Sequence, residues 1–93
     1  MTVGVLKIVL VIPGSRSLKD KRQVVKSIKD RVRNKFNVSV AEVGGQDLWQ
    51  RCELGFAAVS SDKQLIESML QQIINLIELS GSALISDSSI EFF

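Results

Sequence analysis

The residues of this 93-residue chain that could do chemistry are mostly cations, because the usual catalytic side chains are scarce. There is no His and one Cys, Cys52. Without an imidazole, Ser-His-Asp and Cys-His catalysis are excluded. One Cys and no His also exclude the usual zinc sites and any internal disulfide. Cys52 alternates with Leu54 and Phe56, which places it in a core, with no His to serve as its base. Glu42 and Glu53 could meet across a hairpin, but a catalytic dyad needs raised pKa values in a cleft. Lys7 or Arg51 could equally neutralise them. Gly44-Gly45 is too short for a phosphate loop and reads as a turn. No catalytic residue, metal or cofactor is assigned.

The cations are another matter. Net charge is only +2, yet the first 35 residues hold ten Lys and Arg against Asp20 and Asp30, a local charge of +8. The remaining residues hold Arg51 and Lys63 against eight carboxylates, a local charge of −6. At ~100° per residue, Lys19, Arg22, Lys26, Lys29 and Arg33 fall within roughly an 80° arc of one helix. Lys19, Lys21 and Arg22 also crowd the first turn, where cations oppose the helix dipole. Arg16 joins them. Backbone N–H groups, the dipole and these four cations make that end a candidate phosphate site. A solvated face is the bland alternative for the whole stripe, and a face that contacts nucleic-acid phosphates is the functional one.

The elements that must position these residues follow from periodicity. Val3–Ile12 is apolar on both parities, as a central strand is. Pro13-Gly14-Ser15 ends it, and Ser17 is an N-cap with Asp20 in a capping-box-like position. Leu18, Val25, Ile28, Val32 and Phe36 recur at helical spacing and predict a helix of about 17 residues. Val38–Val43 and Leu48–Val59 read as strands joined by the Gly44–Asp47 turn. Ser60-Ser61-Asp62 caps a second amphipathic helix that ends near Ser80-Gly81. Ala83–Phe93 is a last strand with a bulge or bend at Ser86–Ser89. The order β-α-β-β-α-β predicts a single α+β domain over residues 1–93. Its fold is a ferredoxin-like sandwich, a four-stranded antiparallel sheet with strands 1 and 3 central and two helices on one face. No apolar run approaches the ~18 residues of a membrane-spanning helix. Lys7 interrupts Met1–Ile12 and no cleavage site follows it, so no signal peptide is expected, and a reduced, cytoplasmic protein is.

Several segments together resemble a known family. They are Val3-Gly4-Val5-Leu6, Ser17-Leu18-Lys19-Asp20-Lys21-Arg22, the run Phe36–Val43, Gln46-Asp47-Leu48-Trp49-Gln50-Arg51 and Leu54-Gly55. This set is similar to the YlxP-like family, small bacterial proteins with a domain of unknown function. Gly45 departs from the acidic or other polar residue expected there. The resemblance covers nearly the whole chain. It implies a ferredoxin-like fold and a cytoplasmic bacterial protein, often encoded near transcription and translation factors. It carries over no catalytic residue and no substrate.

The sheet face away from the helices supplies a second candidate surface. Val5, Val9, Val11, Ala57 and Val59 form an apolar patch there, with Trp49 as an anchor. Only Trp49 could stack a base, so sheet-face recognition in the RRM manner is not expected. A homodimer is expected through this patch. The resulting expectation is a non-enzymatic accessory RNA- or ribosome-binding factor. Its contacts would be Arg16, Lys19, Lys21, Arg22, Lys26, Lys29 and Arg33. The alternatives are a homodimeric protein-interaction or regulatory module, and an enzyme acting on a phosphorylated small molecule at the first helix's N-terminus.

Overall fold

The computed structural model describes residues 1–93. The elements are β1 (Thr2–Val11), α1 (Leu18–Lys35), β2 (Ser39–Gly44), β3 (Arg51–Ser60), α2 (Lys63–Ser80) and β4 (Leu84–Phe92). The strands form one antiparallel sheet in the order β2-β3-β1-β4. This is the expected ferredoxin-like α+β sandwich.

Strand alternation builds the core. Leu6, Ile8 and Leu10 of β1 and Cys52, Leu54, Phe56 and Ala58 of β3 point to one side and are buried. They meet Val25, Ile28 and Val32 of α1 and Ile66, Leu70, Ile73 and Ile77 of α2 in one apolar cluster. Each such side chain contributes roughly 1.5–3 kcal/mol when fully buried. At Gly4 a β-carbon would run into the Ile66 side chain, so glycine is what lets α2 settle onto β1.

The helix starts follow local hydrogen-bond chemistry. Ser17 Oγ accepts from the Asp20 N–H at 3.1 Å, and the Asp20 carboxylate accepts from the Arg16 N–H at 3.1 Å. Asp62 accepts from the N–H groups of Gln64 and Leu65. Helix α2 stops at Gly81, whose φ of 72° suits glycine.

Both edge strands carry irregularities. The β1–β4 register shifts between Val9 and Leu10, which makes Ser86 the extra residue of a bulge inside the expected polar run. The β2–β3 register shifts between Glu42 and Gly44. Strand β3 starts at Arg51, not at the expected Leu48, so Gly45–Gln50 forms a longer connection. Side chains occupy two β2 carbonyls: Arg33 donates to Val40 at 3.1 Å and Gln46 to Glu42 at 3.5 Å. Occupied carbonyls blunt a strand edge against further pairing.

Candidate functional site

Of the seven cations expected to form one surface, the structure brings six together and turns the seventh inward. Lys21 is 1% exposed. Its Nζ lies 2.9 Å from the Glu42 carboxylate. It also donates to the Gly45 carbonyl and, at 3.1 Å, to the Gln46 carbonyl. All three partners belong to β2 or the turn after it. Lys21 is therefore a strut between α1 and the β2–β3 connection, and it is not available to a ligand. Its position carried a signal: it precedes Val25 by four residues and so lies on the apolar arc with Val25, Ile28 and Val32.

The expected phosphate site at the N-terminus of α1 is correspondingly reduced. Lys21 is buried, and the Asp20 carboxylate already sits against the Arg16 N–H, which supplies a negative charge where the helix dipole favours one. What remains there is Arg16, Lys19 and Arg22 on the outside.

Lys19, Arg22, Lys26 and Arg33 are exposed, Lys29 is half-buried, and Arg16 is exposed on the loop before them. Over the fifteen residues from Lys19 to Arg33 the row extends about 21 Å along the helix. Arg22, Lys26, Lys29 and Arg33 line a shallow open groove of about 360 Å³ beside β2, with Asp30 and Glu42 at its margin. Lys26 pairs with Asp30 at 2.9 Å. That bond, with Arg33 and Lys29 adding their charge, holds the Asp30 carboxyl below its ordinary value. Arg16, Lys19, Arg22 and Lys29 have no carboxylate within ion-pair distance. No large apolar side chain of α1 is exposed, so this flank meets an anion through charge and hydrogen bonds.

The two carboxylates considered as a dyad are on opposite faces of the sheet. Glu42 pairs with the core-facing Leu54 and points toward Lys21. Glu53 pairs with Val9 on the other face and lies 3.2 Å from Lys7. Each carboxylate has its own lysine, so neither has the shared proton that defines a dyad. Cys52 is fully buried. Burial, with the Glu42 carboxylate adding to it, pushes its thiol up to about 11, the opposite of an activated nucleophile.

On the open sheet face, Val5, Val9, Val11 and Ala57 are half-buried and Val59 is exposed. The Lys7–Glu53 pair crosses the middle of this patch, so it is not one continuous apolar surface. Gly55, with no side chain, leaves a shallow apolar hollow of about 340 Å³ bounded by Val5, Ala41, Val43 and Ala57. Trp49 is not on strand β3 as expected. It sits in the Gly45–Gln50 turn beyond the end of the patch, 55% exposed beside the half-exposed Leu48.

The family model described as "Protein of unknown function (DUF503)" matches residues 3–90. The chain belongs to the DUF503 family. A curated relative, "Uncharacterized protein YlxP" of Bacillus subtilis (strain 168), is 46% identical over 76 residues, covering 82% of this chain and 83% of that protein. Similar solved structures include the structural-genomics protein YJCS, with a TM-score of 0.61 at 5% identity over 96% of both chains. The de novo designed protein Foldit4 has a TM-score of 0.56 at 18% identity, over 100% of this chain and 97% of its own. An antibiotic biosynthesis monooxygenase has a TM-score of 0.53 at 10% identity, over 100% and 96%. A designed protein and an oxygenase on one backbone show that the likeness is of fold alone. In this DUF503 chain no helix is long and apolar enough to cross a membrane.

The burial of Lys21 distinguishes it from its neighbour in the same helical turn. Lys21→Ala leaves Glu42 and two carbonyls without their cation and is expected to cost about 3 kcal/mol in urea unfolding. Arg22→Ala is expected to stay within about 0.5 kcal/mol of the parent. Equal losses for the two variants would contradict the assignment.

Proposed function

We propose that this chain is a non-enzymatic accessory factor that binds structured RNA, free or within the ribosome, through the exposed flank of α1. The contacting residues are Arg16, Lys19, Arg22, Lys26, Lys29 and Arg33. The observation that carries the reading is the row of cations itself: six on one surface, with a single ion pair, Lys26–Asp30, among them. Stability alone does not ask for such a row, since like charges at helical spacing repel and cations at the helix start oppose the dipole. A polyanion gains from it by releasing counterions. Helix α1 itself exposes no large apolar side chain, which disfavours insertion of that helix into a lipid surface. Contacts from such a row to phosphates position a backbone without reading sequence.

Affinity for a structured RNA is expected to fall steeply between low and moderate salt, in proportion to the phosphates neutralised. Lys19, Arg22 and Lys26 replaced together by Glu should abolish binding, while circular dichroism and melting temperature stay close to the parent. If the triple variant binds as well as the parent at low salt, the row is only a solvated face.

We infer a second reading for the open sheet face, a homodimer, from the hollow at Gly55, the exposure of Val43 beside it and that of Val59 further along β3. Val5, Val9, Val11, Ala57 and Val59 would lie in the contact, and two-fold pairing is the commonest way to cover such a patch. Sedimentation at micromolar concentration is expected to give twice the 10.3 kDa chain mass and the single-chain mass for Val9→Asp. A monomeric mass unchanged by Val9→Asp counts against it.

A further inference from the structure

The Gly45–Gln50 turn holds its backbone from several directions while leaving an aromatic ring in solvent. Lys21 bonds the carbonyls of Gly45 and Gln46 on one side. On the other, the Gln50 amide donates to the Ser15 carbonyl at 3.0 Å and to that of Pro13 at 3.3 Å. The Gln50 carbonyl accepts from the Ile12 N–H at 2.8 Å. Between these anchors Leu48 donates back to the Gly45 carbonyl at 3.0 Å. Trp49 is thus 55% exposed on a braced turn. Trp49, Leu48, Gln50, Arg51 and Val11 surround an open hollow of about 590 Å³. A flat ring, the amide oxygen of Gln50 and a guanidinium in one hollow offer a stacking surface, an acceptor for a base edge and a charge for its phosphate.

The hollow adjoins the α1 row through the chain itself. The Gln50–Ser15 bond joins the residue after Trp49 to the residue before Arg16, the first cation of the row. A strand whose phosphates follow α1 past Lys19 and Arg16 reaches this turn by passing the Ser15–Gln50 contact and bending onto the sheet face that carries Val11 and Arg51.

We propose that Trp49 is a stacking platform for an unpaired nucleobase of the RNA whose backbone lies along α1, with Arg51 holding the adjoining phosphate. This rests on the reading of α1 as an RNA-binding surface. It adds a contact that senses an unstacked base, so an RNA with a single-stranded overhang should be preferred to a blunt duplex. The contact is sequence-tolerant, because every base has a π-face.

The chain has one Trp and no Tyr, so its intrinsic fluorescence reports Trp49 directly. The parent is titrated at low salt with an RNA duplex carrying a single-stranded overhang and with the blunt duplex. The overhang RNA is expected to quench the emission and the blunt duplex to bind without quenching. Trp49→Ala should weaken overhang binding by about 5- to 150-fold, and Trp49→Phe should retain most of it. Neither change should alter affinity for the blunt duplex. Overhang binding without quenching, and undiminished in Trp49→Ala, overturns the stacking role while leaving the α1 surface in place. Absence of binding to either RNA overturns both. A change in emission that follows protein concentration rather than RNA assigns Trp49 to a contact between copies and also overturns the proposal.

Discussion

A lysine ammonium brought out of water costs several kcal/mol unless its charge and its protons are all met. Lys21 meets them with one carboxylate and two backbone carbonyls, and each of those partners is drawn from the segment that crosses from β2 to β3. That concentration on one segment is what organises this end of the molecule. It fixes the distance of α1 from the β2 edge. It commits Glu42, leaving that carboxylate no second role. It sets the shape of the connection that carries Trp49.

The remaining charge then sorts by side. With Lys21 inside, the cations of α1 form a clean outer row, and Asp30 is the carboxylate that interrupts it. Glu42 lies at its margin, bound to Lys21, while Glu67 and Glu78 are exposed on α2, and Asp87 and Glu91 on β4. A polyanion approaching the helix layer from the β2 side meets the basic flank, and one approaching β4 meets acid. The net charge of +2 describes neither side.

Much of this was readable from residue order. The apolar alternation of β1, the helical spacing from Leu18 to Phe36, the Ser17 and Asp62 caps and the Gly81 stop each announce their element through local chemistry. Lys21 was readable as well, since it occupies an apolar-arc position, but its charge class placed it with the surface cations. Only the tertiary approach of a carboxylate and two carbonyls, from residues more than twenty positions away, reverses that placement. Trp49 was misplaced for a related reason. Leu48 and Trp49 have strand-forming side chains, and the longer connection depends on the shift at Gly44 and on the bonds from Lys21 and Gln50. Those contacts are non-local, and no window of sequence around Trp49 contains them.

The most direct measurement is amide hydrogen exchange, residue by residue, in the parent and in Lys21→Met. The account predicts that the amides of Leu48 and Ile12, bonded to the Gly45 and Gln50 carbonyls, exchange faster in the variant. Amides of Leu6 and Phe56 in the sheet centre keep most of their protection. Unchanged protection at Leu48 and Ile12 would contradict the claim that the buried Lys21 is needed to hold this turn.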